Sequence, residues 1–159
     1  MSVYDTLAAS RDAAIELSHI ESRGRMLRDA IGVHGHTYDV HPKNGILDPM
    51  RRVVDLVAWE DESRGAEALR LTLDDGAELV RGASVICDHL GVEVLRRYYL
   101  QGEPMEHIAA DVGPRVKELA DLEPHECAKV LEGALRGVVR DLEDAGVARL
   151  RQLARSSQD

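Results

Sequence analysis

At 159 residues, with 44% apolar and 31% charged side chains, the chain is sized for one domain or a small domain with a helical extension, and its composition excludes a disordered or membrane-spanning chain. It has no Phe and only 3% aromatic residues, so its core must be built from Leu, Val, Ile and Ala; that suits helices meeting along narrow seams better than a sandwich or barrel. The net charge of −9 is shared between 10 basic and 16 acidic residues up to position 90 and 10 and 13 beyond it, so neither half offers the broad basic footprint usual in nucleic-acid binders.

The opening MSVYDTLAASRD has no basic stretch followed by an apolar one, which predicts no export signal. From residue 3 to about 32, Ala13, Leu17, Ile20, Gly24, Leu27 and Ile31 recur at spacings of 4, 3, 4, 3 and 4. That heptad seam predicts a long helix, with Asp5 as its N-cap and Gly32 as its stop. Residues 33–47, VHGHTYDVHPKNGIL, break the repeat with turn-forming Gly35, Pro42 and Asn44-Gly45, and predict a surface loop or a small hairpin. His34, His36 and His41 with Asp39 have a spacing that can hold a metal; in a loop of this polarity the simpler expectation is solvated side chains and no metal.

Asp48-Pro49 should open a second helix, Asp as cap and Pro at the first helical position. Its seam runs Leu69, Leu73, Gly76, Val80, Ala83, Cys87 and Leu90, extended backwards by Ala66 and Trp59. Unbroken, the helix would have roughly 43 residues and a length of about 64 Å, with Arg64-Gly65 as a point of kinking. The two seams should meet in an antiparallel helical hairpin or against a second copy of the chain, with Gly24 and Gly76 allowing close approach. Cys87 and Cys127 lack paired-ligand spacing and fall on apolar faces, as core cysteines in a reducing compartment would.

Beyond residue 90 the expected elements are short and the breakers frequent: Gly102, Pro104, Gly113, Pro114 and Pro124. The chain thus divides into residues 1–90, the long helices, and 91–159, a small domain. In VEVLRRYYLQGEPMEHIAADVG, Val94, Leu95, Tyr98 and Tyr99 form one buried face, Gly102 ends the helix, and Pro104 starts another with Ile108, Ala109 and Val112 inward. Ala109 falls where two helices must cross closely, and Gly113 should supply the turn between them. A later helix should open at Glu123-Pro124 and reach about Ala145, burying Cys127, Leu131, Ala134 and Val138. The tail VARLRQLARSSQD should be helical to about Ala154.

The run Tyr98-Tyr99-Leu100-Gln101-Gly102, then Ile108-Ala109 and Val112-Gly113, resembles the helix-turn-helix of sigma factor region 4. His107 stands where that pattern has Glu, and Ala134-Leu135 lies roughly two helical turns further on than the pattern places it. With the long helices before it, the layout is similar to phage late-gene activators of the RinA and ArpU kind. The resemblance implies an all-α fold, a long helical hairpin followed by a small helix-turn-helix domain. It further implies a cytoplasmic, phage-type DNA-binding transcriptional regulator that contacts double-stranded DNA and RNA polymerase and forms a homo-oligomer through its long helices. The groups placed to reach DNA are Arg115, Lys117, His125, Lys129 and Arg136, with Arg96, Arg97 and Arg140 flanking. The first alternative is a packaging component like a terminase small subunit. Because Glu126 and Glu132 share the face of Lys129 and Arg136, a protein-interaction module with the same shape is the second. No nucleophile–base pair or phosphate-cradling Gly loop stands out, so neither an enzyme nor a cofactor is expected.

Overall fold

The computed structural model describes residues 1–32 and 49–158. Among them are six helices and no strand: α1 (Val3–Gly32), α2 (Pro49–Ile86), α3 (His89–Tyr99), α4 (Met105–Val112), α5 (Pro124–Ala145) and α6 (Val147–Ser156), with a 3-10 turn at Gly113–Arg115. The segment expected to form a loop or hairpin, residues 33–47, lies outside the described residues.

α1 begins one turn before the expected cap. Ser2 is the N-cap: its Oγ accepts from the Asp5 N–H at 3.0 Å, and Asp5 Oδ2 accepts from the Ser2 N–H at 3.2 Å. Asp5 is therefore the returning half of a capping box, and the Ser2 contacts hold its carboxyl below the usual value.

α1 and α2 run in opposite directions along one another. Trp59 Nε1 donates to Ile20 O at 2.7 Å, Arg23 pairs with Glu62 at 2.6 Å, and nearer the other end Ser10 Oγ lies 3.0 Å from Thr72 O. Both seam glycines serve this approach: a Cβ on Gly24 would overlap the Trp59 ring, and one on Gly76 the Ser10 hydroxyl. Ala13, Leu17, Ile20, Ala66, Val80 and Ala83 are buried, so the seams are largely covered within the chain. α2 continues through Arg64-Gly65 and stops at Ile86, short of the expected 90. The reason is Asp88, whose carboxylate accepts the Gly91 N–H at 2.9 Å and caps α3 instead. Cys87 and Leu90 thus lie beyond α2, half-buried against the core.

The core is continuous across residue 90. Val3 and Leu7 of α1, Leu79 and Ala83 of α2, Leu95 of α3, Ile108 of α4, Leu142 of α5 and Leu150 of α6 are all fully buried in one cluster. Each such Leu or Ile contributes about 1.5–3 kcal/mol relative to exposure. The tail packs rather than projecting: α6 crosses α2 where Gly82 meets the Leu150 backbone, and Arg151 and Arg155 reach Glu78 at 3.3 and 3.8 Å. No helix among the described residues is long and apolar enough to cross a membrane.

Candidate nucleic-acid interface

The three helices that the sequence motif singles out are joined by two turns of different character. Between α3 and α4, Gly102 adopts φ +67°, a left-handed conformation that favours glycine. The Glu103 N–H then returns to Arg97 O at 3.1 Å. Between α4 and α5 the connection spans residues 113–123, with a 3-10 turn and further turns rather than one tight corner. Gly113 is not left-handed there (φ −52°); it is small because Cys127 approaches, and an added Cβ would sit 3.0 Å from Sγ. Cys127 Sγ also points at Ala109 O, 3.8 Å away. Ala109 and Gly113 therefore mark where α4 and α5 pack closely.

α5 has the expected bounds but a rotated buried face. Cys127, Ala128, Leu131, Leu135, Val139 and Leu142 face inward. Ala134 is exposed and Val138 half-buried, contrary to expectation, because the face follows Leu131–Leu135–Val139–Leu142, whose larger side chains fill the space against the other helices. Ala134 and Val138 instead edge an apolar groove of about 240 Å³ with Leu90 and Val94.

Of the five expected contact residues, His125, Lys129 and Arg136 lie exposed on α5, Lys117 is exposed in the connection, and Arg115 is held elsewhere. Arg115 Nη2 donates to Glu93 Oε1 at 2.7 Å and lies 3.4 Å from Asp111 Oδ2. Arg97, at 17% side-chain exposure, joins the same network, reaching Glu103 at 2.7 Å, Asp111 at 2.5 Å and Glu93 at 3.8 Å. Two guanidinium groups thus tie three carboxylates together across α3, α4 and both turns. Arg115 holds the Glu93 carboxyl below its usual value, and Glu103, then Asp111, raises the Arg97 guanidinium further. Arg97 and Arg115 are consequently engaged as ties between these helices. The signal for this was in the sequence, since Glu93–Arg97 and Asp111–Arg115 both have i, i+4 spacing.

The cations left on α5 are not scattered. At about 100° per residue, Lys129, Arg136 and Arg140 fall within about 40° of one another, with His125 close beside them. They form a strip about 16 Å long on the solvent side. Arg136 has only a 3.9 Å pair with Glu132, at 80% side-chain exposure. Glu143, on the same side, accepts the Tyr4 N–H at 2.7 Å and so fastens the start of α1 to α5. The start of α1 is tied a second time by Arg11, which donates to the carbonyls of Tyr98 and, at 3.1 Å, Glu103. Against the strip stands the helix's own balance: α5 carries three Lys and Arg and five Asp and Glu.

Among the described residues no group of three or more His, Cys, Asp or Glu is placed to hold a metal ion; His34, His36, His41 and Asp39 lie outside them. No family model matches the chain, and the searches of curated proteins and of solved structures give no match.

Proposed function

We propose that this chain is a DNA-binding transcriptional regulator of phage or prophage type, whose α3–α4–α5 unit is a helix-turn-helix like that of sigma factor region 4 and whose α5 contacts duplex DNA. The observation that carries the reading is the segregation of Lys129, Arg136 and Arg140 onto one solvent-facing strip of a helix fixed by its neighbours. Lys117 adds a contact from the connection before α5. The long α1–α2 hairpin is then the part free to meet RNA polymerase or a second copy. Since its seams are mostly filled within the chain, a second copy would use the outer faces, where Val54, Val57 and Leu71 are exposed.

Few phosphates can be neutralised this way. One copy offers four cations, so affinity should be modest and fall with salt at a log–log slope on the order of −3 to −4. Anisotropy of a labelled duplex from the protein's own locus, titrated at several salt concentrations, measures this. A slope near zero would overturn the reading.

A second reading has its own support. The five carboxylates of α5 outnumber its cations, and Glu126 and Asp144 border the strip on its outer side. That pattern suits a protein partner with basic groups, and the same titration separates the two, because such a module leaves DNA unbound.

A further inference from the structure

Among the described residues, a basic groove also lies away from α5. It is a groove of about 560 Å³ between α1 and α2, lined by Arg25 and Arg28 of α1 near Trp59 and, farther along α2, by Arg70. Glu21 is the only carboxylate among the described residues lining it; Glu67, on the α2 side, lies 3.8 Å from Arg70. Among the described residues Arg25 and Arg28 have no carboxylate within ion-pair distance, whereas Arg23, two residues from Arg25, is paired with Glu62 on another side of the helix.

The floor of the groove is built, not incidental. Gly24 leaves the space that the indole of Trp59 occupies against the α1 backbone. The indole N–H donates to Ile20 O at 2.7 Å, which fixes the plane of the ring. Over that ring sits the Arg28 guanidinium, 5.1 Å from the ring centroid. Cation–π stacking holds Arg28 over the groove floor, so less side-chain entropy is lost when it binds an anion. Guanidinium groups present planar pairs of donors that match the oxygens of phosphate.

We infer that this groove binds an oligophosphate anion, with phosphate oxygens on Arg25 and Arg28. Two sources share that chemistry: a free nucleoside triphosphate and the backbone of a nucleic acid. The site is separate from α5, since Trp59 lies about 30 Å along α2 from Leu79, where the shared core begins. It stands or falls independently of the DNA contact proposed for α5.

Trp59 is the chain's single tryptophan, so its emission reports on the groove directly. The full-length protein is titrated at low salt with inorganic triphosphate, with ATP and with a short single-stranded oligonucleotide, following that emission. A saturable change is expected, weakened by about tenfold or more in Arg25→Gln/Arg28→Gln and unaltered in Lys129→Ala/Arg136→Ala. Helical circular dichroism and an unchanged melting temperature confirm that the variants fold. Tighter binding of ATP identifies a nucleotide site, and tighter binding of the oligonucleotide identifies a backbone site. No saturable change with any of the three, the same change in Arg25→Gln/Arg28→Gln, or equal binding of poly-glutamate would each overturn the assignment, the last in favour of an acidic protein.

Discussion

Replacing glycine by alanine should have opposite effects at two places in this chain. A Cβ on Gly82 would overlap the carbonyl oxygen of Leu150 and come within 2.7 Å of its carbon and 2.9 Å of its Cα. These are backbone atoms of a fully buried residue, so no side chain can swing aside, and α6 must move off α2 by about 1 Å to restore contact distances. Overpacking of this kind costs about 3 kcal/mol, while alanine's better helix propensity returns about 1. The net loss of about 2 kcal/mol should lower Tm by about 4–8 °C in a domain of this size. At Gly133 and Gly137 an added Cβ meets nothing within 4 Å, so only the propensity gain remains, about 0.5–1 kcal/mol at each. Thermal melts followed by circular dichroism give both signs in one experiment. If Gly82→Ala melts at or above the unmutated protein, the packing of α6 on α2 described above is wrong.

The Arg97 network yields two expectations. Arg97→Met should cost about 2 kcal/mol in urea unfolding, because Glu93, Glu103 and Asp111 lose the partner they share; an unchanged midpoint would mean the network contributes nothing. Because Arg115 lowers the folded-state pKa of Glu93, its contribution is present above the ordinary Glu range and is lost as pH falls through the lowered value. The urea midpoint should therefore drop below about pH 4, and drop less in Arg115→Gln. At the alkaline end, burial raises the Tyr99 phenol from 10.0 to about 12. The folded state then keeps a proton the unfolded chain gives up, so stability should fall as pH rises between these values, and less so in Tyr99→Phe.

What the sequence made legible was whatever local periodicity and capping dictate. The bounds of α1 and α5, the inward set Ile108, Ala109 and Val112, and the close approach at Gly24 and Gly76 follow from spacing and side-chain size alone. The break at Asp88 was missed because the apolar repeat runs on through Cys87 and Leu90, and a local cap overrode it. The face of α5 was misjudged by about one residue because Ala134 and Leu135 are both apolar, and only the packing partners decide which turns inward. The pairing of Arg115 was only half legible, since its i, i+4 spacing from Asp111 is in the sequence but Glu93, its nearer partner, is brought to it by the fold. The Trp59 groove escaped notice because Arg25 and Arg28 lie on one helix and Trp59 on another, and only the fold brings them together.

The central claim is that α5 meets DNA through its cationic strip in spite of its carboxylates, and opposing substitutions on that one helix test it most directly. Affinity for duplex DNA from the protein's own locus should be measured at low salt for the unmutated chain, for Lys129→Ala/Arg136→Ala, and for Glu126→Gln/Asp144→Gln. All four substituted side chains are exposed and outside the core cluster, so the fold should persist in each. The first pair should abolish binding and the second should tighten it by about tenfold, through loss of repulsion from the phosphates. Undetectable binding by the unmutated protein at high micromolar concentration, or affinity indifferent to both pairs, would contradict the claim.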